Sequence, residues 1–398
     1  MKKLISGKLR VAVIGVGNMG AAHVEYLPRI ANVEVTALCD NDPKKLTAGL
    51  QILASSGLQA KGFDSHLDLL NARIADVVVI ATPHYDHPPM GIRALETGHH
   101  VLVEKPIAVG VKGARELISA AKQHPSLVFG IMYNQRTNPI YVKLRELIES
   151  GELGEISRIT WIATNWFRTN TYYASGGWRA TWAGEGGGVL INQCPHNLDL
   201  LQWITGLMPS RVTAVGFIGK THPIEVEDEM GAILEYPNGA IGHFITSTGE
   251  APGTNRLEIC GDRGRIVAEA DQLTFFRSRC GTRELNTTSN NAFAGSEVWK
   301  IDVSFPRAPN FSEHERIMRN FVDACTNGAA LIAPGEEGVR GLEIGNAMLM
   351  SAMEERSVRL PLDGAAYDLL LIDLAKRYGG RKTLEAKDVK VDMIASFH

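Results

Sequence analysis

Lys105 closes the apolar run Val101-Leu-Val-Glu-Lys-Pro106, and a lysine at the end of a buried strand is rarely left without a partner. Either Glu104 neutralises it, or its ammonium takes part in chemistry. As a cation it favours a developing alkoxide; neutral, with burial lowering its pKa from about 10.4, it accepts a proton. The second candidate is His196, in Glu185-Gly-Gly-Gly-Val-Leu-Ile-Asn192-Gln-Cys-Pro195-His196-Asn-Leu-Asp199. A helix starting near Gln193, with Pro195 in its first turn, sets Asn192 and His196 four residues apart and pointing the same way. An imidazole there moves protons near neutral pH. A lone histidine at a helix start would read as structural; beside Lys105 the chemical reading takes precedence.

Such groups need elements to hold them. Leu9 to Ile14 is an apolar strand leading into Gly15-Val16-Gly17-Asn18-Met19-Gly20 and a helical stretch up to Pro28. Strand, glycine turn and helix N-terminus form the order that a dinucleotide pyrophosphate requires, with Gly15 for the tight turn, Gly17 for close approach and Gly20 for helix–strand packing. A second strand, Val33 to Cys39, ends in Asp40. An acid there accepts hydrogen bonds from the ribose hydroxyls and repels a 2′-phosphate, so NAD is expected over NADP, a preference that Asn41, Lys44 and Lys45 moderate. Strand–helix alternation continues to the strand Leu127 to Tyr133, and its unbroken apolar strands predict a doubly wound parallel sheet. Ligands bind at the carboxyl ends of such strands. Thr82-Pro83-His84, Glu104-Lys105-Pro106 and Asn134-Gln135-Arg136 all fall on that edge, which makes them one candidate site. His84 and His87 have metal-ligand spacing, but two further ligands are not apparent; they are expected to line the nicotinamide end of the cleft, and no metal is predicted.

After a helix over Ile140 to Glu149 the texture changes. Strands at Ile156–Thr164, Val212–Ile218, Met230–Tyr236, Ala240–Ser247 and Arg256–Cys260 follow with few long helices between them, and Pro237-Asn238-Gly239 marks a hairpin. This half is predicted to be an antiparallel or mixed sheet with one face packed and one free. Five of six tryptophans, Trp161, Trp166, Trp178, Trp182 and Trp203, fall in one segment with Tyr172 and Tyr173. They suit sugar stacking, with Arg168 and Arg179 as hydroxyl donors, and suit core or subunit packing equally. Glu225 to Glu229 reads as a solvated strand entry, Gly281 to Ser296 as a long polar loop, and Ser312–Thr326, Gly335–Glu355 and Tyr367–Tyr378 as helices.

With 398 residues, the chain is too long for one ordinary core. The expected division is 1–135, a nucleotide-binding domain; 136–357, an α+β substrate and oligomerisation domain; and 358–398, a C-terminal extension. A net charge of −3 argues against nucleic acid as the main partner, and the lack of an apolar run of about 18 residues argues against a membrane span. The apolar run after Met-Lys-Lys-Leu-Ile-Ser is broken by glycines, so it reads as a first strand. The five dispersed cysteines fit reduced thiols, and a cytoplasmic location is expected.

Gly15, Gly17 and Gly20, Thr82-Pro83 with His87, Glu104-Lys105-Pro106, and the glycine run ending in His196 and Asp199 resemble the glucose-fructose oxidoreductase and inositol dehydrogenase (Gfo/Idh/MocA) family, from about Leu9 to about Arg356. The resemblance implies a Rossmann domain followed by an α+β domain with a large, mostly antiparallel open sheet that often makes subunit contacts, giving a dimer or tetramer. It implies oxidation or reduction of a sugar or cyclitol hydroxyl at a nicotinamide, with catalytic roles for Lys105 and His196. The cofactor set expected is Gly15, Gly17, Asn18, Met19, Gly20, Asp40, Thr82, Pro83, His84, His87, Glu104, Lys105 and Gln135. The substrate set is Lys105, Arg168, Tyr172, Trp178, Arg179, Asn192 and His196. One departure stands out: many members carry an aspartate four residues before the histidine, and here Asn192 can orient a hydroxyl but not act as a carboxylate base. Two other readings are a glycosidase that retains NAD, working by transient oxidation, elimination and re-reduction, and a non-catalytic nucleotide and sugar sensor.

Overall fold

The computed structural model describes residues 7–306 and 311–387. Its first sheet contains β1 (Leu9–Ile14), β2 (Val33–Cys39), β3 (Lys61–Phe63), β4 (Val77–Ile80), β5 (His100–Val103) and β6 (Phe129–Ile131). All pair in parallel, in the order β3-β2-β1-β4-β5-β6. Strands sandwiched between helices must be apolar on both faces, and every residue of Val77–Ile80 is fully buried. The chain reverses direction across the sheet between β1 and β4, which opens the crevice where ligands of such sheets sit.

The second sheet contains β7 (Ile156–Ala163), β8 (Arg211–Ile218), β9 (Glu227–Glu235), β10 (Ile241–Ser247), β11 (Asn255–Gly261), β12 (Gly264–Glu269), β13 (Gln272–Ser278), β14 (Val298–Asp302) and β15 (Val358–Arg359). Its order is β14-β13-β12-β11-β7-β10-β9-β8-β15, antiparallel except where β7 meets β10. Met230, Leu234, Phe244 and Trp161 are buried on one face. The other leaves Val215, Phe217, Ile233, Ile241 and Ile245 exposed, and the register puts these on neighbouring outward positions of β8, β9 and β10. The helix Pro195–Thr205 begins two residues later than expected and lies against the long helix Gly338–Glu354.

The chain does not respect a simple division into two halves. After β14 it returns to the first sheet: Ile131 N–H donates to the Ala333 carbonyl at 3.1 Å, and Phe321 packs where a side chain on Gly130 would stand. The returning helix, Glu313–Asn327, is capped by Ser312 Oγ, which accepts from Glu315 N–H at 3.1 Å. The described part of the C-terminal extension is also integrated. β15 completes the second sheet, the helix Gly364–Tyr378 packs on Val111–Gln123, and Lys382 Nζ donates to the carbonyls of Gly176 and Arg179 at 3.2 and 2.8 Å. Residues 388–398 lie outside the described residues.

Two expectations need correction. Gly281–Ser296 holds a short helix, Thr282–Thr288. Glu225 to Glu229 is not a solvated entry, because Glu225, Glu227 and Asp228 are buried and each carboxylate accepts backbone N–H groups: Glu225 from Gly380, Glu227 from Gly188 and Leu190, and Asp228 from Lys220, Thr221 and His222.

The parts meet at Arg136, which is 1% exposed. Its Nε and Nη2 donate to the two carboxylate oxygens of Asp199 at 2.7 and 2.6 Å, and Nη1 donates to Glu337. Replacing Arg136 with Met should cost about 3–5 kcal/mol, because Asp199 and Glu337 lose their buried counter-ion. Adding Asp199→Leu should recover part of the loss. Denaturant unfolding of the single and double variants measures both, and a cost below about 1 kcal/mol for the single change would rule out this role.

Candidate functional site

The glycine turn has the geometry of a phosphate cradle. A Cβ on Gly15, whose φ is +86°, would lie 2.7 Å from the Ala81 carbonyl, and one on Gly20 would lie 1.8 Å from the Gly15 oxygen, so both positions are closed to side chains. A Cβ on Gly17 would meet nothing within 4 Å. That open space lies at the N-terminus of the helix Asn18–Tyr26, which has no side-chain cap, where backbone N–H groups favour an anion. Asp40 stands beside the turn, accepting from Val16 N–H at 2.7 Å and Asp42 N–H at 2.9 Å.

At the end of β5 the adjacent charges of Glu104 and Lys105 go separate ways. Glu104 does not bond the Lys105 ammonium. It pairs with His23 Nε2 at 2.7 Å and accepts the Lys105 backbone N–H at 3.2 Å. Burial works to raise the Glu104 carboxyl, but the His23 hydrogen bond and charge bring it below its ordinary value. Lys105 reaches across instead, and its Nζ donates to the Asn192 carbonyl at 2.8 Å. Burial of the ammonium pushes its pKa down to about 8, against the opposing pull of Glu104.

Asn192 is held in turn by Glu185, a carboxylate that the sequence reading assigned no role. Asn192 Nδ2 donates to Glu185 Oε1, Ala180 N–H donates to Oε2 at 2.6 Å, and Arg179 Nη1 stands 3.7 Å away. Burial raises the Glu185 carboxyl despite these partners. Tyr172 Oη accepts from Arg179 Nη1 at 3.0 Å and Gln193 Nε2 at 3.3 Å, and Arg168 lies over the Tyr172 ring. Lys105, Asn192, Glu185, Arg179 and Tyr172 thus form one network. Below it, Glu227 pins the glycine run through Gly188 and Leu190, at 2.9 and 3.1 Å.

The histidines divide. His84 is buried, with Nδ1 donating to the Glu185 carbonyl at 3.0 Å and its ring edge-on to Trp178. His87 is fully buried and does not line the cleft: its ring nitrogens face the carbonyls of Pro106 and Thr82 at 2.7 and 2.9 Å, so it braces the ends of β4 and β5. Pro83 begins the turn His84–Asp86, and Thr82 Oγ1 makes a long contact with Met90 Sδ. His196 is packed edge-on to Tyr133. Burial, then the Lys105 charge, pushes its imidazole well below the ordinary range, so the ring is neutral at pH 7. It lines a cavity of about 620 Å³ whose walls also include Met19, Tyr26, Gln135, Trp166 and Glu313. Lys105, Asn192 and Arg179 are not in that lining. The tryptophans separate as well: Trp161 and Trp182 are core, Trp203 packs against Arg136 and Arg145, and Trp166 faces the cavity. Glu313 and His314, which also line it, had no local signal beyond a helix start.

Residues 9–131 match an oxidoreductase family model with an NAD-binding Rossmann fold, and residues 141–267 match the GFO/IDH/MocA C-terminal domain. A glycosyl hydrolase family 109 protein of Shewanella pealeana is 30% identical over 182 residues, which span 44% of this chain and only 40% of that relative. The myo-inositol 2-dehydrogenase of Thermotoga maritima is 24% identical over 366 residues, 88% of this chain and 98% of the relative. The WlbA dehydrogenase of Chromobacterium violaceum, solved in complex with NADH and UDP-GlcNAcA, superposes with a TM-score of 0.77 at 27% identity, covering 91% of this chain and 99% of that one. With the Rossmann sheet and the first strands of the open sheet matched, over more than half of its length, the chain belongs to the Gfo/Idh/MocA family of NAD-binding oxidoreductases.

Proposed function

We propose that the chain is an NAD-dependent dehydrogenase that oxidises a secondary hydroxyl of a sugar, cyclitol or glycoside, or reduces the corresponding ketone. The observation that carries this reading is Lys105, a lysine brought to a pKa of about 8 at the carboxyl edge of a nucleotide-binding sheet. The open cradle at Gly17 fits a pyrophosphate, with Gly15, Asn18, Met19 and Gly20 forming the turn and Asp40 at the ribose. An NAD held there would supply the hydride acceptor for oxidation of a carbinol carbon. Lys105 Nζ, neutral in a large fraction of molecules near pH 8, takes the hydroxyl proton. Asn192 gives one amide N–H to Glu185, and its second N–H donates to the oxygen of that hydroxyl as the proton leaves. His196, held neutral, hydrogen-bonds substrate without competing for charge. Arg168, Arg179, Tyr172 and Trp178 supply donors and ring faces around this network. The outward apolar positions of β8, β9 and β10 join copies of the chain.

The relatives named a myo-inositol dehydrogenase and a WlbA dehydrogenase support the dehydrogenase reading. The relative named a glycosyl hydrolase supports a second one, in which a retained NAD would take up the hydride, elimination beside the ketone would expel the glycosidic oxygen, and addition of water and return of the hydride would follow without net redox change.

Gly17→Ala should leave unfolding of the nucleotide-free protein unchanged yet weaken NAD binding about tenfold or more, and Asp40→Ala should weaken NAD more than NADP; calorimetric titration checks both. A panel of sugars, cyclitols and glycosides, followed by NADH absorbance and product analysis together, separates the two enzyme readings. With a substrate in hand, Lys105→Ala should lower kcat by about 10²-fold or more. If neutral Lys105 is the base, kcat/KM for oxidation rises with pH through about 8 and then levels; a fall over that range would assign Lys105 the cationic role instead. Phe217→Glu should shift the protein to a smaller species in size-exclusion chromatography with light scattering.

A further inference from the structure

The cavity is walled by the helix Asn18–Tyr26, the turn after β6, the second sheet and the first turn of the helix Glu313–Asn327. Its volume, about 620 Å³, falls in the range of small-molecule sites. Its walls carry the carboxylates of Glu25, Glu269, Asp271, Glu313 and Glu315 against the guanidinium of Arg29. Glu313 Oε2 accepts from Gln135 Nε2 at 2.7 Å and from Asn134 Nδ2 at 3.1 Å. That bond uses one N–H of Asn134, a residue 1% exposed, and its Oδ1 has no hydrogen-bond partner among the described residues. Asn165 Oδ1, also on the lining, is in the same condition. The cation nearest the Glu313 carboxylate is Arg316, 3.9 Å away, and its Nη1 is engaged by the Thr137 carbonyl. Trp166 has given its N–H to Asn197 Oδ1 at 3.0 Å, and with Arg168 over its ring it presents ring carbon and no donor to the cavity. Glu25, Glu269 and Asp271 add carboxylates at the exposed end of the lining, where Arg29 is the basic residue.

These carboxylates reward a ligand rich in hydroxyl or ammonium donors and penalise one that brings another anion, the more so above about pH 7, because burial pushes the Glu313 carboxyl up to about 7. We propose that Asn134, Asn165 and Glu313, with the ring of Trp166, form the surface that selects the substrate, taking polyhydroxylated or aminated sugars and excluding sugar acids and sugar phosphates. This inference rests on the preceding reading that the cleft receives a carbohydrate, and the cavity joins that reading's substrate residues at His196, which lines it and feels the Lys105 charge. Glu313 is a specificity residue, separate from the proton transfer assigned to Lys105.

The test uses the NAD-loaded enzyme with a panel of neutral, aminated and acidic hexoses, cyclitols and methyl glycosides. The wild type should turn over neutral or aminated members with kcat/KM about tenfold or more above matched uronic acids. Glu313→Gln should raise KM for the preferred members about tenfold, leave kcat within about threefold, and narrow the gap to the acids. Removal of a merely structural residue would not change that selectivity. Should Glu313→Gln fail to fold, Asn165→Ala provides the same KM-against-kcat comparison. A wild type that prefers uronic acids, or a Glu313→Gln enzyme with unchanged KM and unchanged selectivity, overturns this inference alone. An enzyme that binds NAD but turns over no carbohydrate of any class defeats the dehydrogenase reading and this inference with it.

Discussion

The cleft depends on the buried guanidinium of Arg136. This side chain leaves the turn after β6, forks onto Asp199 in the helix that carries His196, and reaches Glu337 in the segment returning from the far end of the chain. Gln135 precedes it by one residue and His196 precedes Asp199 by three, so the same fork sets both walls of the cavity relative to each other. A buried ion pair is a poor source of net stability, because desolvation cancels most of its Coulomb energy, but the planar fork accepts only one arrangement. Its contribution is to geometry. Asp199, which belongs to the sequence pattern of the family, therefore works as a fastening and does not face the cavity.

Other buried carboxylates work in the same manner, each orienting a group that could otherwise rotate. Glu104 fixes His23, Glu185 fixes the Asn192 amide, and Glu227 fixes the glycine run. With Glu104 turned to His23, Lys105 is left with a carbonyl as its acceptor and carboxylates only at longer range. Burial can then depress the lysine without a contact ion pair to hold it up. Had the neighbouring Glu104 bonded the ammonium, Lys105 would have remained a cation at all working pH values. The family member with Asn192 in place of aspartate also keeps a carboxylate in the cluster, one amide further away, at Glu185.

Much of the architecture was legible because it is written in local periodicity. Uninterrupted apolar strands, helix-spaced faces and glycine turns each reflect a backbone constraint that acts within a few residues. The first sheet follows the expected alternation closely. β12, β13 and β14 were not anticipated, because β12 and β13 bury only short stretches, Ile266 to Ala268 and then Leu273 and Phe275, between charged or polar ends, and every residue of β14 is exposed. The acidic run Glu225 to Glu229 misled for a related reason. Charge suggests solvent, but a carboxylate that collects backbone N–H groups can be buried with its hydrogen bonds satisfied.

By itself the sequence determined the nucleotide turn, the strand end that carries Lys105, the glycine run leading to His196, and hence the family resemblance. These are contiguous signals, whose meaning depends on backbone shape within one strand–turn–helix unit. Only the tertiary structure decided who partners whom. Glu104 finds His23 across 81 residues, Lys105 finds Asn192 across 87, and Gln135 finds Glu313 across 178. No spacing rule reaches that far, because such pairings follow from how sheets and helices pack. It was packing, too, that separated Trp166 from the other tryptophans and drew His87 out of the cleft, since a side chain's role depends on what surrounds it after folding.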